Sequence, residues 1–262
     1  MADRETLLDI RGVTKTYFPE RKAPLTALQE LSFSVANGEF LSLVGPSGCG
    51  KSTFIKLTCG LLPPTSGQIL LKGQPVSEPI KDVGIAFQAP ILLEWRTVLQ
   101  NVLLPLEILE GRIQPHHREH AIRLLSMVGL GGFADAYPRE LSGGMQQRVS
   151  ICRALVHDPY FLLMDEPFGA LDSITRDRMG RELLRIWQHS GKTIVFITHN
   201  IAEAVFLSNR VVVLTPRPGT VREIVPIDSP RPRDPGGSGF RAIERHIHEL
   251  IGEDETVEEG AR

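Results

Sequence analysis

Cysteine is scarce in this chain: three in 262 residues, Cys49, Cys59 and Cys152. Their spacing matches neither a zinc-ligand set nor a paired redox motif, which excludes a disulfide scaffold and a thiolate metal centre. Reduced thiols in a cytoplasmic protein are the expectation. Long apolar runs are also missing. None approaches the roughly 18 residues that a membrane helix needs, and the segment MADRETLLDI has no signal-peptide core. The chain is therefore expected not to cross a membrane by itself. Net charge is nearly absent, because 29 basic residues face 31 acidic ones. Such a balance argues against a protein that grips nucleic acid by neutralising phosphates. No internal repeat is present. What remains is an ordinary globular composition, 42% hydrophobic and 23% charged, on a length that suits one large domain with or without a subdomain.

Strand and helix signals alternate along most of the chain, which favours an α/β architecture. Short apolar runs predict strands at Phe40–Gly45, Gln68–Lys72, Val83–Gln88, Phe161–Asp165, Thr193–His199 and Arg210–Thr215. The runs FLLM, TIVFIT and VVVL lack polar alternation, as strands covered on both faces should. Helical stretches fall at Lys51–Leu61, Gln147–His157, Ile174–His189 and Ile201–Ser208. Between about Pro90 and Pro159 no strand is evident, and the segment predicts an inserted helical subdomain that includes His116–Val128. After Thr215 six prolines fall within 20 residues, Pro216 to Pro235, and favour extended chain. A last helix is expected from about Ser238 to Gly252, with Ile243, Ile247, Leu250 and Ile251 on one face. That face either packs on the rest of the chain or makes a dimer contact. The acidic end, residues 253–262, reads as a solvated tail.

The strongest local signal is Gly45-Pro46-Ser47-Gly48-Cys49-Gly50-Lys51-Ser52-Thr53, which satisfies the phosphate-loop pattern G-x-x-x-x-G-K-[ST]. At average residue frequencies it arises by chance in roughly one chain of this length per hundred. Glycines let the backbone turn tightly enough for successive N–H groups to face phosphate oxygens, and the helix that follows adds its positive end. Lys51 supplies an ammonium for the β- and γ-phosphates and Ser52 a hydroxyl ligand for magnesium. The alternative is a purely structural glycine turn. A second signal is Phe161-Leu-Leu-Met-Asp165-Glu166-Pro167, an apolar strand that ends in adjacent acids where open α/β sheets bind ligands. Asp165 can hold magnesium and Glu166 can orient or deprotonate an attacking water; an acidic strand end facing solvent is the alternative. A third is Leu141-Ser142-Gly143-Gly144-Met-Gln-Gln-Arg148, where Ser142 can cap a helix and the two glycines allow close approach of a phosphate. Taken alone, Ser-Gly-Gly is equally a capped helix after a turn.

In that order, loop, LSGG segment and acidic strand resemble an ATP-binding cassette (ABC) ATPase, over about residues 7–215. The resemblance implies an α/β P-loop cassette with a mainly parallel central sheet, an N-terminal antiparallel β portion and the inserted helical subdomain at about 90–159. A Pro-rich strap (216–237), the C-terminal helix (238–252) and the tail would follow. It further implies that Tyr17 stacks on adenine, where a strand-face or core tyrosine is the alternative. Gln88 would meet magnesium and the attacking water, Asp172 would communicate across a dimer, and His199 would hydrogen-bond the γ-phosphate as a switch. Two chains would close head-to-tail on ATP and Mg²⁺, each ATP lying between the Lys51 loop of one and Ser142–Gly144 of the other, with Glu166 driving hydrolysis.

The family contains transporters and soluble machines. The repair type carries a long coiled-coil insertion for which about 90 residues leave no room, and the translation type resembles two cassettes in one chain. A P-loop kinase or GTPase would have no use for LSGGMQQR. The segment Leu-Leu-Glu94-Trp95-Arg96-Thr-Val-Leu-Gln-Asn-Val102 and the run from Arg217 to Asp234 are similar to cassettes of the nitrate/sulfonate/taurine importer group, with Glu94 where that group has proline. That likeness implies an importer's energy-coupling subunit at the cytoplasmic face of the cell membrane. Its partners would be permease subunits and, through them, an extracytoplasmic solute-binding protein, and not nucleic acid. A soluble ABC ATPase outside transport is the alternative. Trp95 and Arg96 would form a docking groove for a permease helix, or Trp95 would be core.

Overall fold

A computed structural model describes residues 5–252. The expected acidic tail, residues 253–262, lies outside the described residues. The chain forms two compact units, one holding the described residues through Ile80 and from Thr193 onward, the other Lys81–Lys192.

The first unit begins with two long strands, β1 (Thr6–Tyr17) and β2 (Leu25–Ala36), then β3 (Phe40–Val44), α1 (Lys51–Thr58), β4 (Ser66–Leu71) and β5 (Gln74–Pro75). The second unit contains β6 (Val83–Ala86), α2 (Val98–Glu110), α3 (Pro115–Met127), α4 (Gly143–Leu155), β7 (Phe161–Asp165) and α5 (Ser173–Ser190). The chain then returns to the first unit as β8 (Thr193–Ile197), α6 (Ile201–Leu207), β9 (Arg210–Leu214), β10 (Val221–Pro226) and α7 (Ser238–Gly252).

In the first unit β3 pairs in parallel with both β8 and β9, and β10 closes the edge antiparallel to β9. Every residue of FLSLV and TIVFI is buried, as the unbroken apolar runs require. A second, antiparallel sheet has the order β2-β1-β4-β5. No apolar run announces β1 or β2. Their inward residues, Leu8, Ile10 and Val13 against Leu28, Leu31, Phe33 and Val35, alternate with polar ones, and register shifts around Ile10–Val13 break the period. In the second unit β6 and β7 pair in parallel, Val83 opposite Phe161 through Ala86 opposite Met164. Strand β6 stops at Ala86, two residues short of Gln88, and the Gln147 side chain donates to the Phe87 carbonyl (Nε2···O 3.2 Å).

Helix α7 packs its apolar face inward. Phe240 and Ile247 are buried, and Ile243, Leu250 and Ile251 lie against the same core as Val44, Val205, Val211 and Val225. The His246 imidazole and Glu223 carboxylate meet at 3.0 Å, and Arg222 donates to the Leu250 carbonyl. That face is therefore consumed within the chain, which removes it as a dimer contact. The three cysteines are buried and free, and burial pushes the Cys152 thiol up to about 12.

Candidate functional site

In the first unit, β3 delivers the chain into the loop Gly45–Gly50 and α1 carries it away. Gly50 adopts φ 107°, and a Cβ there would sit 2.6 Å from Leu28 Cδ2 and 2.8 Å from the Ala27 carbonyl oxygen. Only glycine fits so close to that backbone. Gly48, at φ 78°, is the other left-handed turn of the loop. Because Gly50 is also the N-cap of α1, no side chain caps that helix. Its first-turn amides are left for something else, and an anion is the natural occupant. By contrast, the hydroxyl of Ser142 caps α4 (Met145 N···Oγ 3.3 Å) and Asp172 Oδ1 caps α5 (Thr175 N···O 3.0 Å).

Lys51 is 9% exposed, and its ammonium donates to the carbonyls of Gly45 (2.8 Å) and Pro46 (2.9 Å). One cation thus braces the loop from inside while remaining next to the anion site. Tyr17 is half-buried at the end of β1, with its hydroxyl 3.2 Å from Thr53 Oγ1 and Lys15 over its ring at 5.6 Å. The structure so brings Tyr17 to the phosphate loop. His199 is exposed just beyond β8, between two residues tied into the first turn of α6. Thr198 Oγ1 donates to Glu203 Oε2 (2.7 Å) and accepts from the Asn200 amide (3.0 Å), while Asn200 Oδ1 caps the Glu203 amide (3.2 Å).

In the second unit, β7 ends at Asp165, 6% exposed, and Glu166 follows at φ 45°. A left-handed glutamate is an outlier that costs about 1–3 kcal/mol, and such strain concentrates at functional positions. The Gln88 amide donates to Glu166 Oε2 at 3.1 Å, so two expected site residues meet directly. Ser142 and Gly143 are exposed at the start of α4, and a Cβ on Gly143 would meet nothing within 4 Å. Asp172 is exposed, and the bond from the Thr175 amide holds its carboxyl below the usual range.

The donors expected for magnesium, the Ser52 hydroxyl, the Gln88 amide and the Asp165 carboxylate, are hard oxygens with a single charge among them. This set suits a cation that keeps water and phosphate oxygens as its other ligands. Among the described residues no group of three His, Cys, Asp or Glu is placed to cage a metal by itself.

Sequence reasoning missed the residues that hold these segments in place. Gln147 is buried within α4, and Arg153 from the same helix donates to the carbonyls of Pro90 (2.7 Å) and Ile91 (2.8 Å). Buried Asn101 accepts from Leu93 N (2.7 Å) and donates to the carbonyls of Leu93, Arg96 and Thr97, which shapes the loop carrying Glu94 and Trp95. Trp95 is 74% exposed, so it is not a core residue. Arg96 pairs with Glu107. A cavity of about 510 Å³ in the same unit, which neither Trp95 nor Arg96 lines, is walled by Phe87, Leu104, Pro105, Ile108, Arg153 and His157 among others. One signal was available: α2 carries Leu104, Ile108 and Leu109 outside its buried stripe, more apolar surface than one such stripe needs.

A family model described as ABC transporter matches residues 28–169. An uncharacterized ABC transporter ATP-binding protein of Methanocaldococcus jannaschii is 50% identical over 93% of this chain and 91% of its own length. The aliphatic sulfonates import ATP-binding protein of Bacillus cereus is 38% identical over 92% and 94%. The nitrate import ATP-binding protein of Synechococcus elongatus is 47% identical over 79% of this chain, which spans 32% of that longer protein. Among solved structures, a dimeric ATP-binding cassette in a post-hydrolysis state with ADP and Pi superimposes with a TM-score of 0.78. It is 33% identical, covering 85% of this chain and all of that one.

Proposed function

The chain belongs to the ABC transporter family as an ATP-binding cassette ATPase, and from that premise we propose that it is the energy-coupling subunit of an importer for nitrate, a sulfonate, taurine or a related small solute. The observation that carries the coupling role is the cavity walled by Phe87, Leu104 and Ile108. Phe87 directly precedes Gln88, whose amide holds Glu166, so a permease helix seated there touches the neighbour of a site residue. The relatives named as sulfonate and nitrate import proteins support the solute class.

In this reading the amides at the start of α1 and the Lys51 ammonium bind the β- and γ-phosphates of ATP, with Tyr17 against adenine. Asp165, Gln88 and Ser52 would hold Mg²⁺, which when bound would supply positive charge against the phosphate oxygens. Glu166 accepts a proton as water bonds to the γ-phosphorus and the bond to ADP breaks. His199 contacts the γ-phosphate. Two copies close head-to-tail, each presenting Ser142–Gly144 to the ATP of the other, and Asp172 lies at that junction. Hydrolysis releases the closure, a ligand-driven shift between two states. The protein works at the cytoplasmic face of the membrane through permease subunits, which in turn meet an extracytoplasmic solute-binding protein.

The test is Ile108→Glu, at a residue 74% exposed that is not itself one of the site residues. Basal ATP turnover of the purified chain should stay within about twofold, while co-purification with the co-expressed permease and solute uptake are lost. Undiminished uptake by the variant would remove the cavity from the coupling role. A wild-type chain that never fractionates with its permease would favour an ATPase outside transport.

A further inference from the structure

The proline-rich strap and two of its arginines, Arg231 and Arg233, have no part in the ATP chemistry described above, yet Arg233 is among the most buried charges of the described residues, 5% exposed. Its hydrogen-bond partners are all main-chain carbonyls. Nη1 donates to Val205 (2.6 Å), Phe206 (3.2 Å) and Ser208 (2.6 Å), Nη2 to Ile227 (2.9 Å) and Nε to Ser229 (3.2 Å). Arg231 Nη2 adds Leu207 (2.7 Å). Helix α6 would otherwise end with the carbonyls of residues 205–207 lacking intrahelical donors. The two strap arginines supply those donors, and their positive charge lies where the helix dipole is negative. Burial and the neighbouring Arg231 push the Arg233 guanidinium down to about 10, so it keeps its proton at neutral pH.

Helix α6 is the element to which His199 is fastened. The residues on either side, Thr198 and Asn200, both bond into its first turn through Glu203. Its inner face, Ile201, Ala204 and Val205, packs in the core shared with β9, β10 and α7. Seven residues of helix, about 10 Å at 1.5 Å each, therefore connect a clamp at one end to a histidine at the other. We propose that Arg233, supported by Arg231, is a positioning residue for His199, and that the strap serves to fix α6 against the core so that this histidine is presented in one place. The proposal rests on the reading of His199 as the γ-phosphate contact and gives the strap a function in turnover.

The experiment uses the full chain with isotope-labelled histidine. The imidazole signal of His199 is assigned by its loss in His199→Ala, and kcat and KM for ATP are measured alongside. Arg233→Lys keeps the charge but loses the planar fork. It should move the His199 signal, leave those of His116, His117 and His120 unchanged, and lower kcat about fivefold or more with KM within twofold. Arg231→Lys, which alters the support and leaves the Arg233 fork in place, should shift the same signal in the same direction by less, so the test survives if Arg233→Lys fails to fold. An unmoved His199 signal in both variants overturns the proposal. So does a collapse of all histidine signals in Arg231→Lys, which marks a structural role only. Wild-type turnover in His199→Ala would instead overturn the catalytic reading of His199, while a shifted signal would still establish the positional link.

Discussion

Gly50 shows how one residue sets the phosphate loop, through a positive φ and a backbone approach that leaves no room for a methyl group. Gly50→Ala should lower stability by about 1–3 kcal/mol and weaken ATP binding more than tenfold, read by thermal melting and by nucleotide titration. An alanine variant that binds ATP normally would mean that the loop conformation is not what holds phosphate. This residue was legible in the sequence because its chemistry is local, and the same holds for Lys51 in the loop, for Ser142 as a helix cap and for the acids at the end of β7, whereas the cap that Asp172 gives α5 came only with the structure. Gln147, Arg153, Asn101 and Arg233 were not. Each is a polar side chain that satisfies main-chain groups of another segment, and no periodicity or spacing in one segment records the carbonyls of another.

At the scale of elements, the continuous apolar runs marked β3, β7, β8 and β9 to within a residue or two, because strands covered on both faces leave no polar alternation. The long pair β1 and β2 was reached only through the family resemblance, as an N-terminal antiparallel β portion, because their own alternation is interrupted where the register shifts. Helix α7 was legible as an element, but its partner was not, since an apolar stripe does not say whether it covers its own chain or another. Here it covers β9, β10 and α6. Truncation before Ser238 should therefore cost roughly 3–6 kcal/mol, the burial of Phe240 and Ile247 at about 1.5–3 kcal/mol each, and shift the melting midpoint down. A truncated chain that melts like the full one but loses self-association would restore the dimer role to that face.

At the scale of the molecule, the chain distributes its chemistry over two units. The phosphate loop, Tyr17 and His199 belong to the first, whereas Gln88, Ser142–Gly144, Asp165, Glu166 and Asp172 belong to the second. The chain passes from the first to the second near Ile80 and returns at Thr193, so β6, β7 and their helices are inserted as a block. Among the described residues no helix is long and apolar enough to cross a membrane.

The proposed closure of two copies is driven by ATP and reversed by hydrolysis at Glu166. Light scattering of Glu166→Gln with and without ATP and Mg²⁺ tests it most directly. The predicted result is a mass near 29.0 kDa without nucleotide and about twice that with ATP, alongside turnover reduced at least a hundredfold, roughly 2.7 kcal/mol of transition-state stabilisation. A mass that ATP leaves unchanged, or hydrolysis at the wild-type rate, would contradict it.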